Sequence, residues 1–157
     1  IGFSALEVIP NTFVQSTVDL NLSPLDNEVF VVLATDMNPF TPDAVAGADT
    51  KVECTVTTTS QTAVSGLDDS NCLAVAQTHI KASGFADGGV GFQTMGMETP
   101  PANLDFIGII ATNDFFLQVK GTNNLGTKGL NGKMYGYRAV ASAATYAALV
   151  QSEVLSA

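Results

Sequence analysis

The sequence predicts an all-β protein, an antiparallel β-sandwich, jelly-roll-like, of about eight strands with one short C-terminal α-helix. Three observations carry that expectation. Short runs alternate apolar and polar residues with a period of two, which places apolar side chains on one face of a sheet. Gly, Pro, Asn and Asp cluster between those runs and supply the backbone angles of turns. No helical pattern recurs between the strands, as a parallel α/β sheet would require, and no fixed-period repeat of the propeller or solenoid kind is present.

Residues 3–9 are the first candidate strand. Val18, Leu20 and Leu22 follow, separated by Asp19 and Asn21 in clear alternation. Residues 28–35, 51–59, 73–82, 104–112, 115–120 and 133–140 complete the set and are rich in Val, Ile, Phe, Tyr and Thr. Between them lie the turn-forming stretches LSPLDN (22–27), DMNPFTPD (36–43), SGLDDSN (65–71) and GTNNLGTKGLNG (121–132). The segment 84–103, GFADGGVGFQTMGMETPPAN, reads as a long loop, and a loop of that length in a compact domain is usually functional. Phe92, Met95 and Met97 within it are candidate contacts to a neighbouring subunit. A helix is expected over 142–155. Ser142 can cap it, Ala143, Ala144, Ala147 and Ala148 favour it, and Tyr146, Leu149, Val150 and Val154 recur at spacings of three and four. This helix either docks on its own sandwich or offers its Ala-rich face to another subunit.

The whole chain, 1–157, is read as one domain, since 157 residues leave little room for a second. Only 13% of residues are charged, about half the roughly 25% usual for a soluble domain, while 46% are hydrophobic. The longest uninterrupted apolar stretches, 29–34 and 106–111, fall far short of the roughly 20 residues of a membrane-crossing helix. The opening IGFSALEVIP lacks the basic and apolar regions of a secretory signal and is too polar for the apolar helix of a pilin-type subunit.

Fifteen acids against six bases give a net charge of −9, which repels phosphate backbones and argues against a nucleic-acid partner. The imbalance lies in residues 1–80, where Lys51 is the one base among ten acids. Lys120, Lys128, Lys133 and Arg138 follow one another with no acid between Asp114 and Glu153. That basic segment, with Tyr146, Leu149 and Val150 of the helix, is expected to meet acidic surface on a neighbouring copy.

Catalytic signatures are missing from the sequence. The single histidine, His79, shares a strand face with Val75 and Gln77 and is accompanied by no nucleophile-elbow sequence. One His and two Cys, widely spaced, do not make a zinc site. Asp36, Asn38, Asp43, Asp68, Asp69 and Asn71 place oxygen ligands in loops without forming an EF-hand, so Asx turns are the simpler reading and no cofactor is expected. Gly88, Gly89 and Gly91 lack the Lys-Ser/Thr ending of a phosphate loop. Cys54 and Cys72 permit one disulfide, although Cys54 alternates with Val52 and Val56 as a buried thiol would. Phe40, Phe85 and Phe92 fall on loops, where they can contact a glycan, cap the core or insert into a neighbour.

Two segments, IATNDFFLQVKGTNN (110–124) and KMYGYRAVASAATYAALVQSEVLS (133–156), resemble C-terminal regions of small virion structural proteins of tailed phages of aquatic bacteria. The resemblance implies a β-sandwich coat or decoration subunit that assembles symmetrically and has no active site. Residues 1–27 hold no base, so a genome-contacting arm is not expected there and an outer, decoration (cement) position on the capsid is favoured. The expected partners are further copies of the chain, in a trimer for example, and a major coat protein, with neither nucleic acid nor membrane. A subunit of an extracellular filament or surface layer and a glycan-binding jelly roll are the alternatives.

Overall fold

The computed structural model describes residues 1–84, 92–97 and 104–157, with 92–97 described by backbone alone. Along the chain run β1 Gly2–Leu6, β2 Val14–Asp19, β3 Glu28–Pro39, β4 Thr50–Thr57, β5 Cys72–Lys81, β6 Phe92–Met97, β7 Gly108–Ile110, β8 Asp114–Thr122, β9 Gly129–Val140 and α1 Ala143–Leu155. Every pairing is antiparallel. One sheet has the order β1-β9-β3-β7 and the other β2-β8-β4-β5-β6. Without β6, successive strands alternate between the sheets except for the β4–β5 hairpin within one sheet, which is the double Greek-key order of a jelly roll, and β6 adds a hairpin partner to β5 at one edge.

Alternation builds the core. Phe115, Leu117 and Val119 of β8 face Val52, Cys54 and Val56 of β4 along one sheet, all with no exposed surface. Phe3, Phe30, Val32, Met37, Leu130 and Met134 close over them from the other sheet, and the Phe3 and Phe115 rings meet edge to face at 6.0 Å. Each such side chain contributes about 1.5–3 kcal/mol of burial free energy. Two glycines of β9 are required by this packing. A Cβ at Gly132 would lie 2.3 Å from the Asp36 carbonyl and 2.7 Å from the Phe3 ring, and one at Gly136 would lie 2.2 Å from the Val31 carbonyl and 2.6 Å from the Phe30 ring.

Several expected boundaries are corrected. The first strand stops at Leu6, because Glu7 turns inward and its carboxylate accepts from the amides of Gly121 at 2.7 Å and Lys128 at 2.8 Å. Strand β2 ends at Asp19, and Leu20 and Leu22 are buried beyond it. Strands β3 and β9 reach into stretches expected as turns because they pair with each other from Glu28↔Val140 to Pro39↔Leu130, with a bulge between Val32 and Ala34. Residues 104–112 contain only the short β7. Among the described residues there are nine strands rather than eight, because Phe92–Met97, expected inside a loop, pairs with β5. The rest of that expected arm, with Phe85, Gly88, Gly89 and Gly91, lies outside the described residues.

The disulfide that the cysteine count permits is not formed, and both thiols are free. Cys54 pairs with Ala76 while Cys72 pairs with Thr57, so about three residue steps of ladder, roughly 10 Å, separate them. Burial pushes both thiols up, Cys72 to about 11 and the more deeply buried Cys54 further.

Helix α1 is capped as expected, with Ser142 Oγ accepting from Thr145 N at 3.2 Å. Its inward line is corrected at the last position. Tyr146, Leu149 and Val150 are half-buried, but the buried residue one turn on is Glu153, and Val154 is exposed. The Glu153 carboxylate accepts from Ala111 N at 2.9 Å, Thr112 N at 3.2 Å and Thr112 Oγ1 at 2.9 Å. Ser156 and Asn71 exchange two further hydrogen bonds of 2.6 and 2.9 Å. The helix therefore docks on its own sandwich beside β7, over a cavity of about 260 Å³ lined by Leu73, Ile107, Ile109 and Leu149 among others.

Candidate interaction surface

Alternation in β9 turns Leu130 and Met134 inward and Asn131, Lys133, Tyr135 and Tyr137 outward, onto the outer face of the β1-β9-β3-β7 sheet. Tyr135 and Tyr137 remain half exposed there, at 50% and 54%. The bulge pushes Leu33 out beside them, and Leu6 and Phe40 flank Gly129 at one end of the face. The charged strand residues on this face are Asp36 and Lys133, which are register partners on β3 and β9 and offset each other. The result is an aromatic and aliphatic sheet face with no net charge on a chain of net −9.

The charge lies at the ends of the sandwich. At the end formed by the β2–β3, β4–β5 and β7–β8 connections and α1 sit Asp19, Asp26, Glu28, Asp68, Asp69, Asp114 and Glu153, against Arg138 alone among the described residues. At the other end Glu7, Asp43 and Asp49 are matched by Lys51, Lys81 and Lys128.

The basic segment expected as one contact surface is divided. Lys128, almost buried, pairs with Asp43 at 2.6 Å, and Asp43 also accepts from Leu125 N and Gly126 N, both at 2.9 Å. The Lys128 ammonium, followed by those amides, holds the Asp43 carboxyl below its ordinary value. Arg138 donates to the Leu20 carbonyl at 2.8 Å and lies 3.9 Å from Glu28. Lys120 is on the outer face of the five-stranded sheet opposite Glu53, and Lys133 is on the other sheet. Loops distant in sequence thus withdraw Lys128 from solvent and engage Arg138, whose side chain stays half exposed. Tyr146, Leu149 and Val150 likewise lie on the docked side of the helix. Phe92, Met95 and Met97 stand opposite Lys81, Thr78 and Ala76 in the sheet register.

The oxygen ligands singled out in loops are also dispersed. Asp36 and Asn38 lie on strand β3, with Asn38 Nδ2 donating to Asn131 Oδ1 at 3.2 Å, while Asp69 accepts from Asn71 N at 2.9 Å in an Asx turn at the acidic end. Among the described residues no three metal-ligating side chains converge, and no helix is long and apolar enough to cross a membrane.

The outer face of the five-stranded sheet is polar and tightly bonded. Gln118, fully buried, donates to Thr57 Oγ1 at 2.7 Å and Gln15 Oε1 at 3.0 Å and accepts from Thr55 Oγ1. Toward the charge-balanced end the register aligns Thr122, Lys51 and His79 in one row across β8, β4 and β5. A hollow of about 400 Å³ opens beside this row, lined by Asp49, Thr50, Lys51, His79, Ile80, Lys81, Thr122 and Asn123. Lys81 contacts Asp49 at 2.8 Å, Lys51 contacts Glu53 at 2.7 Å, and His79 Nε2 lies 2.9 Å from Gln77 Oε1. The Lys81 ammonium, then the Ser83 and Ala82 amides, draw Asp49 down to about 2.

Sequence reading placed His79 and its strand neighbours but missed the tyrosines of β9, although Tyr135 and Tyr137 alternate with Met134 in KMYGYRAV. It also missed Glu153, whose signal was its place seven residues after Tyr146 on an otherwise apolar stripe. Comparison with known protein families, curated proteins and solved structures finds no match to this chain.

Proposed function

We propose that the protein is a structural subunit of a virion, a decoration protein that seats on the outer capsid surface and stabilises the shell by bridging coat subunits. The observation that carries this reading is the outer face of the β1-β9-β3-β7 sheet, which has no net charge and exposes Leu33, Tyr135 and Tyr137 side by side and Leu6 at one end. Burying such a face yields about 25 cal/mol per Å² of apolar area, and the two charges on it, Asp36 and Lys133, are cross-strand neighbours of opposite sign. The jelly-roll architecture agrees, since shell proteins use it, although it hosts other functions as well. The acidic end then lies to the side of that contact, and self-association through that end is disfavoured by like charge. The resemblance of residues 110–124 and 133–156 to phage virion proteins supports the same role, with further copies of the chain and a coat protein as partners.

The test pairs electron microscopy of the source particles with measurement of native mass and of adsorption to undecorated shells. Closed particles carrying the subunit, and loss of adsorption in Tyr135→Lys with Tyr137→Lys while the monomer stays folded, are the expected results. A monomer that ignores shells, or charge substitutions without effect, overturns the proposal. Charge separation along the sandwich favours a head-to-tail filament as the second reading, because an acidic end can meet a balanced end but not its own kind. Fibres grown from isolated subunits would establish it.

A further inference from the structure

Beyond this assembly role, the hollow on the five-stranded sheet has the makings of a ligand site. Two of the chain's six bases and its only histidine line one cavity, on a protein whose charge is otherwise strongly negative. Its volume of about 400 Å³ is within the range of small-ligand pockets. The lining is mixed in a way that narrows the ligand. Lys51 and Lys81 supply cationic donors, and each ammonium has N–H groups beyond the one given to its carboxylate partner. Asp49 and Asn123 present acceptors and Thr122 a hydroxyl, while Nδ1 of His79 is not engaged by the Gln77 contact. A bare anion would use the lysines and leave Thr122, Asn123 and the remaining acceptor capacity of Asp49 unmatched. A nucleotide would want a stacking surface, and none of the described lining residues is aromatic. A ligand with one anionic group among several hydroxyls matches both halves of the lining.

We propose that this hollow binds an acidic sugar residue, a hexuronate unit, with its carboxylate at Lys51 and Lys81 and its hydroxyls at Asp49, Thr122 and Asn123. The site opens beside the outer face of the five-stranded sheet, opposite the face proposed to meet a shell, so both can be occupied together. The sugar site does not depend on the virion reading.

Titration of the full chain with D-galacturonate, followed by amide and His79 ring resonances, tests it. Saturable shifts at Lys51, His79, Lys81 and Thr122 are expected, with weaker shifts or none from D-galactose at equal concentration. Lys81→Met, at an exposed side chain, should weaken galacturonate about tenfold, the scale of one charge-assisted contact. Asp26→Asn, at the acidic end far from the hollow, should leave it unchanged and serves as the control. Inorganic phosphate producing the same saturable shifts would reduce the hollow to an anion seat and overturn the sugar assignment, as would galactose binding equally well. Absence of saturable shifts at these residues, or a Lys81→Met affinity equal to that of the unaltered protein, overturns the site altogether.

Discussion

Replacing Glu153 by alanine removes the main polar anchor of α1. Its carboxylate takes three hydrogen bonds of 2.9, 3.2 and 2.9 Å from Ala111 and Thr112. Ala111 is only 2% exposed, so its amide has no water to turn to once the carboxylate is gone. A stranded buried amide costs about 1–3 kcal/mol, and Thr112, half-buried, recovers part of its loss from solvent, which sets Glu153→Ala at about 2–4 kcal/mol of lost docking. Glu153→Gln keeps an oxygen able to accept both amides and removes a desolvated charge, so its loss is about 1 kcal/mol or less. The pH dependence has a definite sign. Burial, with a smaller contribution from Asp114, holds the Glu153 carboxyl above its ordinary value, so the docked helix binds the proton more tightly than the released one. Docking is strongest below the ordinary carboxyl range and weakens as pH rises through the raised value, and Glu153→Gln should flatten that dependence. Hydrogen exchange at the Ala111 and Thr112 amides, measured at pH 4 and pH 7, isolates the helix from global unfolding. Unchanged Ala111 protection in Glu153→Ala, or a Gln variant as damaged as the Ala variant, would refute the reasoning.

Other expectations follow from single contacts. Gly136→Ala forces a methyl to within 2.2 Å of the Val31 carbonyl and should cost about 1–3 kcal/mol in urea unfolding, as overpacking does; a neutral result would mean that β9 shifts freely. The hydroxyl of Thr78 is buried without a hydrogen-bond partner among the described residues, so Thr78→Val should stabilise the protein by about 1 kcal/mol, read as a raised Tm. Cys54 should not be alkylated by iodoacetamide at pH 8 until denaturant is added, whereas half-buried Cys72, its thiol pushed up to about 11, should react slowly in the native protein; rapid native labelling of Cys54 would contradict its place in the core. Asp43, depressed by Lys128, contributes stability above the ordinary carboxylate pKa that is lost as pH falls through its lowered value, and Asp43→Asn should remove that part of the acid transition.

The sandwich was legible because its signal is local. Alternation around Cys54 and from Phe115 to Val119 reflects one wet and one dry sheet face, and the helix showed itself through Ser142 and its alanines. What sequence reading missed depends on partners remote in the chain. Nothing near Lys128 announces that Asp43 will take its ammonium, nor that Glu7 will bind its amide, because three separate loops meet to make those contacts. Residues 36–39 resemble a turn by composition and become strand only because β9 is long enough to pair with them. The exposed tyrosine face was hidden for a related reason. Tyr135 and Tyr137 have the composition of core residues, and only the inward positions of Met134 and Leu130 show which side they occupy.

Five acids from the first half of the sequence, with Asp114 and Glu153 from the second, gather once folded at one end of the sandwich. The described residues therefore make an electric dipole along the strand direction, and a dipole experiences torque before it experiences contact. Approaching any anionic surface, such as a cell envelope or a DNA-filled particle, the molecule turns its acidic end outward while still about a Debye length away, roughly 8–10 Å in ordinary salt. The opposite end then arrives first with the sheet faces standing alongside it, and the search for a productive orientation narrows to rotation about the strand axis without a single additional contact being made.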